Sequence, residues 1–151
     1  MYWSIKHFKE LSTTELYDIF TVRISTFVME QNCHYQDADG KDLKAYHLQA
    51  HNDKNELVAY ARILPPGVSY NEISIGRVLT TSKARNLGIG KELMSKTMLF
   101  IKEKWGEVAV CISAQCYLIK FYEDFGFVCQ GDEYFEDDIP HIQMLFSGVK
   151  L

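Results

Sequence analysis

The chain has 151 residues, 47% apolar and 24% charged with only three prolines, which describes an ordinary globular sequence of one domain's length and excludes a disordered or fibrous chain. A net charge of −4 lacks the basic footprint that a phosphate backbone demands, so nucleic acid is set aside as a partner. No uninterrupted apolar stretch reaches the roughly 18 residues of a membrane span, and MYWSIKHFKE has no signal-peptide hydrophobic region, so no membrane partner and a cytoplasmic location are expected.

In chain order, YWSIKHF reads as a strand. Ser12 and Glu15 make an S-x-x-E capping box, and Leu16, Ile19, Phe20, Ile24 and Phe27 recur at helical spacing behind it, which predicts a first helix. The polar segment QNCHYQDADGKD reads as a loop. AYHLQAH, LVAYARIL and EISIGRVLT follow as three alternating or β-branched strands, with PPG turning the chain after the middle one. Past Gly90, Met94, Met98, Ile101 and Trp105 step along a second long helix that Gly106 can end. VAVCISA suits a strand buried on both faces. YLIKFYEDF reads as a brief helix stopped at Gly126, and FVCQGDEYF and HIQMLFS close the chain as strands. That order gives a mixed sheet with helices packed on it, in one domain over residues 1–151 without a linker or internal repeat.

The stretch ARNLGIGKELM places Gly88 and Gly90 between a strand and a helix. Backbone N–H groups at such a helix mouth point outward at the positive end of the dipole, a geometry that binds phosphate. A dinucleotide fingerprint would need glycine where Leu93 stands, and a Walker loop would need Ser or Thr where Glu92 stands, so both fail. What fits is R-x-x-G-x-G, with Arg85 beside the phosphate and the glycines giving it access to the amides. A strand-to-helix turn that merely needs small residues accounts for the glycine pair equally well.

Three other patterns are rejected on geometry. DADGKD, set with Gly40 at the sixth position of a calcium loop, puts tyrosines at the first and last ligand positions, so it reads as a turn. Cys33, His47 and His51 have no CxxC partner, and on a strand the two imidazoles stand about 13 Å apart, so no metal is expected. Cys116 has no activating cation beside it to pair with His141 as a nucleophile. Cys33, Cys111, Cys116 and Cys129 are expected to be reduced.

RNLGIG after a strand, with FYEDFGF some way beyond it, resembles the GNAT superfamily of acyl-CoA-dependent N-acetyltransferases. TFVMEQNCHYQDADGKD, IGRV, AQ before FY, and EDDIPHIQM together resemble its ElaA-like branch, so the likeness covers most of the chain. Asn86 stands where the family often has glycine, and Asp138 where the branch usually reads EDGIPH. The resemblance implies an α/β (α+β) fold with a mostly antiparallel central sheet of about six to seven strands. It also implies acetyl-CoA as co-substrate, its pyrophosphate on Arg85, Asn86, Leu87, Gly88, Ile89, Gly90 and Lys91.

The implied chemistry assigns three roles. An amine attacks a thioester carbonyl directly, the carbonyl oxygen turns negative, and the departing thiolate is neutralised as it leaves. Tyr122 matches the superfamily tyrosine near the coenzyme sulfur, although a tyrosine between Phe121 and Phe125 also suits a core. Backbone groups of Val78, Leu79 and Thr80 are the implied ligands of the pantetheine arm, and Gln115 lines a cleft where the next strand separates at Ala114 and Gln115. For the base the sequence offers Glu72, Glu136, Asp137 and His141. Glu136 and Asp137 beside His141 make an acidic site for a cationic amine, or a solvated turn; Glu30 and Gln31 complete the acceptor wall. The same fold without catalysis would make an acyl-CoA-binding or sensing module. The expected assembly is a monomer or homodimer.

Overall fold

In the computed structural model, which describes residues 1–148, seven strands form one sheet in the order β1-β2-β3-β4-β5-β7-β6. They are β1 (Tyr2–His7), β2 (Tyr46–His51), β3 (Leu57–Leu64), β4 (Ile73–Thr80), β5 (Val110–Gln115), β6 (Val128–Glu136) and β7 (Ile139–Phe146). Every pairing is antiparallel except β4 with β5. Every residue of β3 is buried, which is why its sequence reads as an apolar run broken only by Arg62 and not as an alternation.

The first helix, α1 (Thr13–Arg23), starts on the capping box read from the sequence: the Glu15 N–H donates to Ser12 Oγ at 3.0 Å, and the Ser12 N–H donates to the Glu15 carboxylate at 3.0 Å. After Arg23 the helix widens to π geometry over Ile24–Glu30. The inward stripe predicted from the sequence is corrected there. Ile19 and, one turn on, Arg23 point into the protein fully buried, while Ile24 stays 43% exposed. An arginine occupies the position that an apolar residue would hold, because two buried aspartates, Asp37 and Asp42, compensate the fixed charge it brings.

The second helix, α2 (Ile89–Trp105), buries Ile89, Leu93, Met94, Thr97 and Ile101 against the sheet and ends at Gly106, whose φ of 85° needs a residue without a Cβ. A 3₁₀ turn at Cys116–Leu118 leads into α3 (Ile119–Glu123). Two strand details create a cleft. β4 and β5 are in register only at Ile73–Val110 and Ser74–Cys111, so they separate well before the predicted Ala114 and Gln115. In addition β4 carries a bulge: Tyr60 faces Leu79 but Arg62 faces Gly76, with Arg77 at φ 50° taking up the extra residue.

Candidate active site

The gap between β4 and β5 opens into a cleft of about 780 Å³. Past Ser74 the edge of β4 that faces β5 has no strand partner among the described residues, so its alternate N–H and C=O groups face this space. Val78, Leu79 and Thr80 line it from that edge and Gln115 from the other side. The Gln115 side-chain amide donates to Gln31 Oε1 at 3.2 Å, and its own Oε1 is buried without a partner among the described residues.

The glycine loop closes one end. Asn86 and Gly88 both have left-handed backbones, φ 68° and 74°, and Gly88 is the cap residue of α2 without any side-chain cap. Among the described residues the first amides of α2 therefore have neither an intrahelical partner nor a capping side chain, a geometry that suits an anion. Arg85 and Gly90 line the cleft, whereas Asn86, Leu87, Gly88, Ile89 and Lys91 do not. Leu87 is exposed and Ile89 belongs to the core. Arg85 donates from Nε to the Thr80 carbonyl at 3.1 Å and pairs through Nη2 with Glu30 at 2.9 Å. Glu30 thus meets the predicted phosphate arginine, and that guanidinium pulls its carboxyl below the usual range.

Tyr122 comes from α3 and lines the same cleft. Its ring is wedged edge-on against Phe121 and Phe127, at 5.2 and 6.0 Å between centroids. Only 7% of the residue is exposed, and burial, then the neighbouring Tyr117, pushes its phenol up to about 12. Such a group stays protonated at neutral pH.

At the other end, β6 and β7 bring Glu136 and His141 together. The His141 Nδ1–H donates to the Ile139 carbonyl at 2.7 Å, and the ring stacks on Tyr134 at 6.2 Å. That hydrogen bond turns Nε2 toward Glu136 Oε2, 3.6 Å away, too far for a direct hydrogen bond and suited to an ion pair or a bridging water. Glu136 also accepts from Ser113 Oγ at 3.1 Å. Asp137 and Asp138, with φ 49° and 63°, are the two turn residues between the paired Glu136 and Ile139. A two-residue turn with both φ positive favours Asp, Asn or Gly, which explains an aspartate in the place of the branch's glycine. Asp137 lines the cleft, and Asp138 and Glu72 do not.

A family model described as "Acetyltransferase (GNAT) domain" matches residues 15–147. The chain belongs to the GNAT acetyltransferase family. Protein ElaA of Escherichia coli is 43% identical to it over 143 residues, 94% of each chain, and the crystal structure of ElaA superposes with a TM-score of 0.89 at 40% identity, over 95% of this chain and 97% of that one. An acyl-CoA N-acyltransferase from Pseudomonas aeruginosa superposes with a TM-score of 0.92 at 40% identity, over 97% of this chain and all of that one. An aminoglycoside 6'-N-acetyltransferase complexed with coenzyme A shares the fold at 16% identity, with a TM-score of 0.70 over 98% of each chain.

One feature of this GNAT chain escaped the sequence reading. The loop read as a simple turn carries three aspartates that neutralise three arginines, of which Arg62 and Arg77 line the cleft and Arg23 lies behind its wall. Fully buried Arg23 pairs with Asp37 at 2.8 Å and with Asp42 at 2.6 Å. Arg62 pairs with Asp39 at 2.8 Å and Asp42 at 3.2 Å, and Arg77 with Asp37 at 2.9 Å and Asp39 at 3.4 Å. Burial works against the Asp42 carboxylate, yet Arg23 and Arg62 outweigh it and lower its pKa. His47 lies in the same nest between the Tyr60 hydroxyl at 2.6 Å and the Asp42 carbonyl at 3.0 Å. Among the described residues no group of three or more His, Cys, Asp or Glu side chains is placed to hold a metal. All four cysteines are free thiols. Burial raises the Cys116 thiol and Glu133 raises it further, the opposite of an activated nucleophile.

Proposed function

We propose that residues 1–151 act as one N-acetyltransferase domain, in the cytosol, that transfers acetyl from acetyl-CoA to a primary amine by direct attack in a ternary complex. The observation that carries this reading is the cleft between β4 and β5. It brings the mouth of α2 at Arg85 and Gly90, the edge of β4 left unpaired among the described residues, and the buried Tyr122 to one continuous space.

Arg85 and the amides of residues 86–91 hold the pyrophosphate, with Gly90 leaving the approach open: a Cβ there would meet only the Phe121 ring, at 3.9 Å. The β4 edge at Val78, Leu79 and Thr80 takes the amides of the pantetheine arm as an added strand would, and Gln115 lies across from it. The bound thioester supplies the acyl group. Backbone N–H groups on the β4 edge stabilise the oxygen that turns negative. His141 accepts the amine's proton at Nε2, and Glu136 stabilises the imidazolium that results. Tyr122 donates its proton to the departing sulfur. An ordinary thiolate in water is too weak a base for a phenol raised this far, but the same burial that raises Tyr122 desolvates the thiolate and strengthens it as a base. The carboxylates of Glu136 and Asp137 draw in an acceptor whose amine is cationic in solution.

The test is a screen of amines and peptides with acetyl-CoA that follows free thiol release. Thiol release matched by an acetylated amine supports the reading. Binding of acetyl-CoA without transfer to any acceptor would leave a sensing module in its place.

A further inference from the structure

Resting on that reading, we propose that the acceptor carries a carboxylate as well as an amine, and that the carboxylate docks on Lys41 and Ser69.

The inference starts from the charge balance around the cleft. Four cationic side chains line it: Lys41, Arg62, Arg77 and Arg85. Arg62 and Arg77 are held by aspartates, and Arg85 by Glu30. Among the described residues Lys41 alone of the four has no carboxylate within ion-pair distance; its ammonium donates to the neutral Ser69 hydroxyl at 2.8 Å. The nearby network leaves no spare negative charge for it. Three arginines there face three aspartates.

The position of Lys41 is fixed by the backbone. Gly40 turns the chain at φ 82°, and the Lys41 N–H donates to Asp39 Oδ1 at 3.0 Å, on a carboxylate itself clamped by Arg62. The cation therefore projects from a rigid loop at the cleft wall, and Ser69 supplies a second donor beside it. Next in the chain, Tyr70 also lines the cleft. Burial above all raises its phenol to about 12, so it remains a hydrogen-bond donor. The same cleft thus carries a cation at Lys41, a neutral donor at Tyr70 and acid at Glu136. That polarity matches a zwitterion: an amine toward His141 and Glu136, a carboxylate toward Lys41. Amino acids and short peptides have this form, whereas an acceptor that carries only positive charge leaves Lys41 opposed by a like charge.

Initial rates with matched acceptors that end in a carboxylate or the corresponding carboxamide decide the matter. The wild-type protein should favour the carboxylate by about tenfold or more in kcat/KM, the size of one charge-assisted hydrogen bond. In Lys41→Met the ratio should collapse toward one, through KM, while Lys41→Arg keeps part of the preference. Thermal melting establishes that each variant is folded. Equal rates on both acceptors in the wild type, or a preference undiminished in Lys41→Met, would overturn the proposal. A phosphate-bearing amine favoured over the carboxylate would overturn the carboxylate assignment. If no acceptor releases thiol, the acetyltransferase reading fails by itself. Calorimetric titration of the carboxylate compound into coenzyme-loaded protein then settles the docking site: weaker binding to Lys41→Met supports it, and equal affinity refutes it.

Discussion

Gly90→Asp separates the stability of the glycine loop from its role in binding, because the two should move in opposite directions. Gly90 is the second residue of α2, and a Cβ there has only an ordinary 3.9 Å contact with the Phe121 ring, so the side chain fits. A carboxylate in the first turn stabilises a helix by about 0.3–1 kcal/mol, and replacing glycine adds a few tenths. The melting temperature should therefore rise by roughly 1–3 °C. The same carboxylate would face the two charges of a pyrophosphate at about 5 Å. Coulomb's law gives about 0.8 kcal/mol for each charge in a fully aqueous medium and about 3 kcal/mol at an effective dielectric of about 20. Even the lower value, doubled, exceeds the 1.4 kcal/mol or so of a tenfold change in affinity. Calorimetric titration with coenzyme A should thus show at least tenfold weaker binding by a protein that is more stable, while Gly90→Ala binds as the wild type does. A folded Gly90→Asp protein with unchanged affinity would refute the phosphate site, and equal losses in the Ala and Asp variants would replace the electrostatic cause with a steric one.

Tyr122→Phe should lower turnover by about 10²-fold with coenzyme A affinity nearly intact, since general acid catalysis is of that size; single-turnover rates that do not change would return Tyr122 to the core. Replacing Glu136 and Asp137 by Gln and Asn should raise the acceptor's KM more than it lowers kcat, and an effect on kcat alone would mark one of them as a catalytic carboxylate. Acid should destabilise the fold in two stages. Burial lowers the pKa of His47, so its contribution is complete above the ordinary value of about 6.5 and is lost as pH falls below it. Burial works against the carboxylates of Asp39 and Glu15, but Arg62 holds Asp39 at about 2, and the Ser12 amide, Gln49 and Lys6 hold Glu15 at about 2. Their contribution is present above about 4 and disappears between about 4 and 2. Melting temperatures across pH should show both limbs, and Asp39→Asn should flatten the lower one.

The sheet was legible because its evidence is local. Alternation, β-branched runs, the capping box and the glycine stops each act within about ten residues, and all seven strands fall where those signals stand. The left-handed glycine turn at the start of α2 was legible for the same reason. The point at which β4 parts from β5 was not: the resemblance implied a separation at Ala114 and Gln115, but the strands pair only at Ile73–Val110 and Ser74–Cys111, because pairing depends on which edge groups find partners across the chain. The bulge at Arg77 gives no signal beyond one unremarkable residue within IGRV.

The buried network failed to register because its partners are distant in sequence: Arg23 and Asp37 are separated by 14 positions and Arg77 and Asp37 by 40. A clue was present. Arg23 follows Ile19 by one helical turn on the inward stripe, and Arg62 interrupts LVAYARIL, a run whose length and composition suit a strand covered on both faces. A cation in either place must find carboxylates, because an unpaired charge in the interior costs far more than any neighbouring packing returns. The nearest dense source is DADGKD. Buried pairs of this kind contribute little net stability once desolvation is counted, but they penalise every other arrangement of the loop. Their effect is thus to make a polar segment, which alone would be mobile, into a fixed wall of the cleft from which Tyr35 and Lys41 project.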